Sequence, residues 1–387
     1  ADFPRIVVED TRAALGDLAA DWRARFDLPV VAITGSNGKT TTKEMLAGIL
    51  RAAFGAEAVL ATAGNLNNDI GLPLTLLRLD SGHRAAVVEM GMNHPGEIAY
   101  LARIGRPTVA LVTNAQRAHL EGMGAVEAIA SEKSLLFVEL AESGVAVFGA
   151  DDPWAALWRS RSAHCRRFTF SLGAPADVVG HCRARGLENH VVIETPGESG
   201  GAVEIDLALP GAHNARNAVA AAAAALAAGA PLEAVRQGLS EFRGAKGRLE
   251  RRAGPRGSLI LDDTYNANPD SVRAGIDVLA STVGRKILVL GDMGEIGEMS
   301  SQFHDEIGGY AKSQGIDRLL AFGDASAVAA RNFGAGGEHF RRLEDLVARL
   351  AAELSPGVTA LVKGSRFMRM ERVIEIVAAA REKEKTP

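Results

Sequence analysis

A short loop rich in glycine and hydroxyl side chains is the clearest chemical signal in the sequence. An apolar run at 30–33 leads into T-G-S-N-G-K-T-T at 34–41, a pattern that predicts a strand, a tight turn and a helix over 38–53. Backbone N–H groups at such a turn, together with the positive end of the helix dipole, attract an anion. We therefore interpret the segment as a phosphate-binding loop for a nucleotide. Its predicted contact residues are Gly35, Ser36, Asn37, Gly38, Lys39, Thr40 and Thr41.

Lys39 and Thr40 have predicted roles of their own within this loop. In nucleotide-binding loops the lysine contacts the terminal phosphates, and the hydroxyl of the next residue ligates magnesium. The general pattern places a glycine six residues before the lysine, where this chain has Ile33, and the first glycine here is Gly35, four residues before it. The loop is thus a shortened form, G-x-x-G-K-T. A plain turn before an ordinary helix is the alternative, but turn chemistry alone does not require Gly-Lys-Thr at its end.

Glu89 ends a second apolar run and is the next candidate. A carboxylate at the end of a buried strand is costly to leave unpaired, so Glu89 should face a cation. In a sheet that carries a phosphate-binding loop, the natural cation is a magnesium ion held on its other side by Thr40. A structural ion pair is the alternative.

Two further titratable residues follow a third apolar run at 109–113. His119 lies in T-N-A-Q-R-A-H-L-E at 113–121, and Lys133 lies in S-E-K-S at 131–134. Judged by local sequence alone, His119 is an ordinary surface histidine and Lys133 an ordinary solvated lysine on a helix. The polar run at 64–73 is likewise as consistent with a simple turn as with a site.

Amide and charged side chains recur in the second half of the chain. Asn214 and Asn217 share one face of a predicted helix and could present donors and acceptors to a planar base, with helix capping by Asn214 as the alternative. Polar groups at 247–250, 262–269 and 362–366 follow, and two of them come directly after predicted strands. Polar groups aimed from two domains at one nucleotide would form a site in the cleft between them.

Alternating strands and helices are expected to position these residues. In the first part of the chain, the predicted strands are 30–33, 85–90, 109–113 and 145–148, and the helices are 38–53, 94–104 and 124–142. This alternation predicts a parallel sheet covered on both faces, with ligands at the carboxyl ends of the strands. Short β-prone runs between 166 and 210 predict an antiparallel insertion, and a helix pair is predicted at 213–229 and 232–241.

The alternation resumes beyond a glycine-rich segment at 244–247, which we interpret as a hinge or linker. The strands predicted there are 259–262, 286–290, 318–322 and 358–362, and the helices are 269–282, 301–314, 343–354 and 366–382. The predicted fold class is α/β: a central P-loop parallel-sheet ATPase domain with a small antiparallel insertion, plus a C-terminal Rossmann-like α/β domain. The predicted boundaries are a lead-in at 1–28, the central domain at 29–243 and the C-terminal domain at 244–387.

Composition narrows the class of protein. The chain has 387 residues, is 47% hydrophobic and carries a net charge of -4, values typical of a soluble globular protein of two or three domains. The charge gives no case for binding nucleic acid or an anionic membrane, and no apolar run is long enough to cross a bilayer. Cys165 and Cys182 are expected to be unpaired thiols in a reducing compartment. No cleavable leader is recognised, and the start at Ala1 suggests a processed or trimmed chain.

Taken together, the motifs resemble those of the Mur ligases, over residues 28–375. The resemblance rests on T-G-S-N-G-K-T-T at 34–41, the polar run at 64–73, E-M-G at 89–91, T-N at 113–114, H-L-E at 119–121, H-N at 213–214, G-R-L-E at 247–250, D-T-Y-N-A-N-P at 263–269 and K-G-S-R at 363–366. The last two motifs are similar to those of the members that add D-Ala-D-Ala. The loop by itself belongs to the whole superfamily.

The resemblance implies an ATP-dependent peptide ligase of peptidoglycan precursor synthesis. ATP would phosphorylate the C-terminal carboxylate of a UDP-linked muramoyl tripeptide, and the amine of D-Ala-D-Ala would attack the acyl phosphate. Because a carboxylate and the γ-phosphate must approach each other, neutralisation of their charge by Lys39 and a metal is the main requirement. The implied partners are small-molecule substrates, without nucleic acid or membrane insertion. A cytoplasmic monomer is expected.

The resemblance also implies two magnesium ions. Thr40 and Glu89 match the ligands of one ion, and His119 matches a ligand of the second. Lys133 stands fourteen residues after His119, where the family carries a carbamylated lysine. A carbamate is an anion that attracts metal, whereas an ammonium group would be repelled. The chain lacks the glutamate that the family often shows two residues further on. The implied catalytic residues are Lys39, His119 and Lys133.

Further residues are assigned by the same resemblance. Asn214 and Asn217 would contact adenine, Arg248 the phosphates, and Asp263 the ribose or phosphate region. The C-terminal domain would close over ATP by a hinge near 244–247. The residues implied at the muramoyl-peptide and acceptor end are Asn65, Asn68, Asn268, Lys363, Ser365 and Arg366.

One departure and several alternatives stay open at this point. The family normally begins with a further domain that holds the uridine diphosphate group, and this sequence starts just before the ATPase domain, so that domain is expected to be either removed or lacking. Another Mur-type or folylpolyglutamate-type ligase shares the loop and the metal logic, although the Asp-Asn-Pro-Arg of diaminopimelate-adding members does not occur here. An NTPase or kinase, or a non-catalytic nucleotide-binding subunit, is an alternative from another class.

Overall fold

The computed structural model describes residues 5–197 and 200–385, which form two sheets with helices on both faces. The elements of the first unit are α1 (Thr11–Ala24), β1 (Val30–Thr34), α2 (Lys39–Phe54), β2 (Val59–Ala61), α3 (Gly71–Leu76), β3 (Ala85–Glu89), α4 (Glu97–Gly105), β4 (Val109–Val112), α5 (Leu120–Met123), α6 (Val126–Val138), β5 (Val145–Gly149), α7 (Ala155–Arg161), β6 (Arg166–Leu172), β7 (Val178–Arg185), β8 (Glu188–Thr195), β9 (Gly201–Leu207), α8 (Ala212–Ala227) and α9 (Leu232–Ser240).

The first unit is built on a nine-stranded sheet in the order β2-β3-β1-β4-β5-β6-β7-β8-β9. The strands from β2 to β7 pair in parallel, and β7, β8 and β9 pair antiparallel. The antiparallel stretch predicted between 166 and 210 is therefore present in β7, β8 and β9, which extend the parallel sheet at one edge. For β6 the prediction is wrong, because this strand pairs in parallel with both of its neighbours. The order β3-β1-β4 places the carboxyl ends of three neighbouring strands side by side.

Both faces of the parallel strands are buried, which explains their continuous apolar runs. Along β1, Val31 and Ile33 belong to one core, while Val30 and Ala32 belong to the core on the opposite face. Helix α8 packs on the first of these faces, and its alanine run is fully buried there. Alanine favours a helix and allows close approach to the sheet. The helix predicted at 213–229 is confirmed.

The second unit is a six-stranded sheet in the order β10-β11-β15-β12-β13-β14, in which only β10 is antiparallel to its neighbour. Its elements are β10 (Glu250–Ala253), β11 (Leu259–Asp263), α10 (Pro269–Ala280), β12 (Arg285–Gly291), α11 (Ser300–Ser313), β13 (Arg318–Phe322), α12 (Ser326–Phe333), β14 (Gly337–Phe340), α13 (Leu343–Glu353), β15 (Val358–Lys363) and α14 (Glu371–Lys385).

Some elements differ from the sequence prediction. The helix predicted at 366–382 begins only at Glu371, after a separate 3-10 turn at Arg366–Met368. The helix predicted at 124–142 is shorter, ends at Val138 and follows the one-turn helix α5. The elements that the sequence pattern did not indicate are β2, α3, α5, α7, β7, β10, α12 and β14.

The two units share apolar contacts. Leu120, at the start of α5, packs against a core of the first unit and also against a core of the second unit. Leu187, between β7 and β8, packs against the same core of the second unit.

Both cysteines are unpaired thiols, as expected. Within the part of the chain that the structure describes, no helix combines the length and apolar composition that a membrane span requires.

Helices α2 and α9 pack closely enough to need a glycine at their contact. A Cβ atom built on Gly238 would lie 2.5 Å from backbone atoms of Ile49. Gly238→Ala should therefore push the two helices apart and lower the free energy of unfolding by about 1–3 kcal/mol, measured by urea denaturation. Gln237→Ala, at an exposed position of the same helix, is the control and should change stability by less than about 0.5 kcal/mol. Equal stabilities of the two variants would contradict the packing argument.

Candidate active site

The phosphate-binding loop joins β1 to α2, as the sequence predicts. Gly35 and Gly38 have φ angles of +154° and +81°. A Cβ atom on Gly35 would lie 1.8 Å from Oγ1 of Thr113, and one on Gly38 would lie 2.4 Å from Oδ1 of Asn217. Both positions therefore require glycine, because the loop is pressed against neighbouring side chains.

The segment after β4 fixes the shape of this loop. Asn37 donates its backbone N–H to Oδ1 of Asn114 at 3.0 Å, and its side-chain amide donates to Oε1 of Gln116 at 2.7 Å. The backbone N–H of Gln116 donates to Oγ of Ser36 at 2.9 Å, while that hydroxyl donates to the Gln116 carbonyl at 3.1 Å. Because β1 and β4 are adjacent, the loop and the segment support each other at the carboxyl edge of the sheet.

Lys39 lies at the first position of α2 and points back into the loop. Its Nζ donates to the carbonyl of Gly35 at 2.6 Å. Burial lowers the pKa of Lys39 from its ordinary value, and the Glu89 carboxylate opposes that shift. Lys39 thus places its amine at the mouth of the turn, at the N-terminus of α2, where a helix can attract an anion.

Glu89 is buried to 1% exposure at the end of β3, next to β1. Its Oε1 accepts a hydrogen bond from Nδ2 of Asn67 at 2.8 Å, whereas Oε2 has no hydrogen-bond partner in the described structure. Among the described residues, Glu89 forms no ion pair, so the structural alternative considered for it is not observed. A buried carboxylate oxygen without a partner fits a cation site.

His119 precedes α5 and has a left-handed backbone, with φ +57°. Its Nδ1 lies 2.8 Å from Oε2 of Glu295, a residue of the second unit. Among the described residues, Nδ1 makes no hydrogen bond of standard geometry. Contact with His119 lowers the pKa of Glu295.

Lys133 is buried to 1% exposure on α6. Burial lowers its pKa well below the ordinary value, and the charge of Lys39 lowers it further. The neighbouring Glu132 is occupied by the backbone N–H groups of Gly96 and Ile98, each at 2.9 Å. In the described structure, Lys133 forms no hydrogen bond or ion pair of its own.

Three of the four predicted metal ligands lie around one cavity of about 780 Å³ between the units, namely Thr40, Glu89 and His119. Lys133 does not line this cavity. No group of three or more His, Cys, Asp or Glu residues in the described structure has the arrangement of a metal site. The predicted set differs from such a group because it includes a hydroxyl and a lysine.

Asn214, Asn217, Arg248 and Asp263 line a neighbouring cavity of about 350 Å³, together with Asn37, Gly38 and Thr41 of the loop. Of the other loop residues, Ser36, Lys39 and Thr40 line the larger cavity and Gly35 lines neither. Asn214 does not cap α8, whose N-cap is Gly211; its amide donates instead to the Pro210 carbonyl at 2.8 Å. The capping alternative is therefore wrong.

Arg248 brings the second unit to the loop. Its guanidinium donates to Oγ1 of Thr40 at 3.0 Å and lies over the ring of Tyr265, 4.2 Å from the centroid. Asp263 accepts from Nζ of Lys363 at 2.5 Å. Burial nevertheless raises the pKa of Asp263 above its ordinary value. The order β11-β15-β12 places the carboxyl ends of three parallel strands of the second sheet side by side.

Only some of the residues predicted for the peptide and acceptor end line the larger cavity. Asn65, Asn68 and Asn268 line the larger cavity. Ser365 and Arg366 line neither of the two cavities, and Lys363 lines only the smaller one. Lys363 donates to the carbonyl of Asn266 at 2.9 Å, Ser365 donates to that of Ala267 at 2.9 Å, and Arg366 pairs with Glu371 at 3.0 Å.

Sequence reasoning missed several residues at this site. Asn67 and Gln116 stand inside motifs that were recognised, but neither was singled out. Glu295 follows β12 in G-D-M-G-E, and the rule that polar residues after strands mark a site could have found it. Arg117 also stands in a recognised motif, but its contacts with Asp270 and Glu306 could not be inferred, because these partners lie far along the chain.

Comparison with known proteins gives a consistent result. Residues 33–225 match the model of the Mur ligase middle domain, and residues 247–366 match that of the Mur ligase glutamate ligase domain. The UDP-N-acetylmuramoyl-tripeptide–D-alanyl-D-alanine ligase of Escherichia coli K12 is 42% identical over 379 residues, which cover 96% of this chain and 82% of that protein. The ligase of the same name from Haemophilus influenzae is 41% identical, with 96% and 81% covered.

Solved structures agree with these relatives. The crystal structure of MurF from Acinetobacter baumannii superimposes with a TM-score of 0.90 at 37% identity, covering 97% of this chain and 82% of that one. The MurF ligase of Thermotoga maritima in complex with ADP gives a TM-score of 0.85 at 28% identity, with 98% and 86% covered.

Proposed function

This chain belongs to the Mur ligase family, and we propose that it adds D-Ala-D-Ala to a UDP-N-acetylmuramoyl tripeptide in peptidoglycan precursor synthesis, at the expense of ATP. The family, the fold class and the ligase activity predicted from the sequence are confirmed. The observation that carries the proposal is the meeting of Lys39, Glu89 and His119 around one cavity, beside a second cavity lined by the nucleotide residues. An NTPase or kinase needs no room for a peptide and an amine beside its phosphates.

The reaction first joins the tripeptide carboxylate to the γ-phosphate of ATP, and an amine then attacks the acyl phosphate that has formed. A carboxylate oxygen of the tripeptide forms a bond to the γ-phosphorus, and the bond to the β–γ bridging oxygen breaks to release ADP. The amine of D-Ala-D-Ala then attacks the acyl carbon, phosphate leaves, and the amine loses its proton. Lys39, together with the N–H groups of its loop, holds the phosphates and offsets the charge in the first step.

We propose that two magnesium ions assist this chemistry. Thr40 and Glu89 would hold one ion, and His119 with Lys133 would hold the second. The unpartnered Oε2 of Glu89 supports the first assignment. When bound, the ions would neutralise the phosphate and carboxylate oxygens as they approach each other.

We further propose that Lys133 is carbamylated. Its buried amine has a lowered pKa and no polar partner in the described structure, so it is poised to be uncharged and nucleophilic. Attack of the neutral amine on CO₂ forms an N–C bond and releases a proton. The product is a carboxylate-like anion that can face a metal ion.

The remaining residues divide between nucleotide and peptide. We propose that Asn214 and Asn217 contact adenine, Arg248 the phosphates and Asp263 the ribose or phosphate region. Asn65, Asn68 and Asn268 would contact the peptide substrates. Lys363, Ser365 and Arg366 would act indirectly, through the segment 266–268. Lys363 and Ser365 donate hydrogen bonds to the backbone carbonyl groups of Asn266 and Ala267 in this segment.

The arrangement of the chain follows the same proposal. We propose a central domain at 29–243 and a C-terminal domain at 244–387, joined at the hinge segment 244–247 and closing over ATP. We also propose that the protein acts as a monomer in the cytoplasm.

An ADP-release assay with UDP-muramoyl tripeptide tests this function. We expect ADP release that depends on added D-Ala-D-Ala, because the acyl phosphate is consumed only by an amine. Single amino acids are the matched acceptors and should give little release. Turnover with a single amino acid and none with the dipeptide would overturn the proposal. Release without any acceptor would point to an NTPase.

A further inference from the structure

Arg117 connects the first unit to the second through two carboxylates. Its guanidinium donates to Oδ1 of Asp270 at 2.6 and 3.0 Å and to Glu306 at 2.7 and 3.2 Å. Its backbone N–H also donates to Oδ2 of Asp270, at 2.9 Å. Asp270 lies in the first turn of α10, and Glu306 lies on α11. One residue of the first unit therefore makes five hydrogen bonds to the second.

The contact is partly shielded from water, so it is stronger than an exposed ion pair. The side chains of Arg117, Asp270 and Glu306 are 24%, 23% and 31% exposed. The guanidinium also lies over the ring of Phe303, 5.3 Å from its centroid. Hydrogen bonding to Arg117 lowers the pKa of Glu306, so that carboxylate stays ionised.

The position of Arg117 in the chain gives the contact its significance. The preceding residue, Gln116, holds Ser36 and Asn37 of the phosphate-binding loop. His119, two residues further on, lines the cavity with Glu89. Arg117 thus anchors a segment that shapes the loop on one side and carries a proposed metal ligand on the other.

The same end of α10 also contacts the phosphate-binding loop directly. Asn268, the N-cap of α10, donates from Nδ2 to Oδ1 of Asn37 at 2.8 Å. Asp270 and Asn268 are two residues apart, so both contacts form when this helix end meets the first unit. Docking of α10 therefore reaches the loop directly through Asn37 and indirectly through Arg117.

We propose that Arg117 is a positioning residue, through which docking of the second unit sets the conformation of the segment 113–119. This inference rests on the proposed function, because it assigns the segment to the phosphate and metal region of a ligase. In this account Arg117 does not touch substrate. It acts through Gln116 and His119 once Asp270 and Glu306 have reached it.

A double-mutant cycle with a matched control tests the proposal. Arg117→Ala and Glu306→Ala should each lower kcat/KM by about 10- to 100-fold, and the double variant should be little worse than Arg117→Ala alone. Arg273 also pairs with Glu306, at 2.8 Å, but both residues belong to the second unit. Arg273→Ala should leave kcat/KM near that of the wild type. Arg117→Lys should be intermediate, because lysine keeps the charge but loses the fork.

A second measurement separates positioning from mere stability. Small-angle X-ray scattering of the whole chain with ADP should show incomplete closure in Arg117→Ala, while Arg273→Ala closes like the wild type. Urea denaturation should show that both variants are folded under the assay conditions, although Arg117→Ala should lose more stability. Wild-type closure and kcat/KM in Arg117→Ala would overturn the proposal, and so would an equal defect in Arg273→Ala. A wild-type chain without acceptor-dependent turnover would refute the proposed function alone, because closure with ADP is measured without an acceptor.

Discussion

A Lys133→Ala variant is expected to stay folded, to keep its affinity for ADP and to lose turnover by at least about 10³-fold. The reason is electrostatic. The wild-type side chain is proposed to supply an anion beside the metal ions, and alanine removes both that anion and the amine that forms it. Loss of the methylene groups leaves a small cavity, so a modest loss of stability should accompany the loss of turnover.

Rescue distinguishes a carbamate from an ordinary buried lysine. Short carboxylic acids, such as acetate and propionate, should restore part of the activity of Lys133→Ala, because they return a carboxylate to the vacated space. Labelling the wild-type protein with ¹³C-bicarbonate should give a carbamate carbon signal by NMR, and the variant should lack it. Full activity of Lys133→Ala, or the absence of this signal in wild type, would refute the modification.

Lys43 offers a matched control for this experiment. It is also fully buried, but its Nζ donates to the Thr62 carbonyl at 2.7 Å and lies 2.6 Å from Glu44. Its amine is therefore already occupied, in contrast to that of Lys133. Lys43→Ala should lose stability because it breaks these contacts, and no carboxylate should rescue it. The ¹³C signal should remain in this variant.

Glu89→Gln is expected to lower kcat by at least about 100-fold and to raise the magnesium concentration needed for half-maximal activity. Glutamine has the same shape, and its amide oxygen can still accept from Asn67. The change therefore removes a charge without removing the fold. Binding of Mn²⁺ in the presence of ADP, followed by electron paramagnetic resonance, should weaken in parallel.

Glu139→Gln is the control for the loss of a carboxylate. Glu139 lies at the end of α6, outside both cavities. Its carboxylate pairs with the exposed Arg103 at 2.9 Å. This variant should keep the magnesium dependence of the wild type, because an exposed pair contributes little. An unchanged Mn²⁺ affinity in Glu89→Gln would show that this carboxylate does not hold a metal ion.

The regular part of the fold could be predicted because its signals are local. Strands such as β1, β3 and β4 are buried on both faces, so each reads as a continuous apolar run. The edge strand β10 was missed because it has the sequence E-R-R-A and is only partly buried. Strand order was beyond prediction, since it depends on contacts between distant segments.

The residues of the site could also be predicted where their signals are local. The phosphate-binding loop and Glu89 lie at strand ends, and their residue types indicate binding of a phosphate and of a cation. The role of Arg117 could not be predicted, because its partner Asp270 lies 153 residues away along the chain. Lys363 and Ser365 show the reverse case. Both stand in a recognisable motif, yet their polar atoms hold backbone carbonyls of the segment 266–268.

Leu120 has a consequence for how the protein unfolds. This side chain belongs to the first unit and packs against cores of both units. Separating the units therefore exposes apolar surface next to His119, and melting either core removes support from the other. The two sheets should behave as one cooperative block rather than as independent foldons. A destabilising change far out in the second sheet can then weaken the segment 113–119 of the first without touching it.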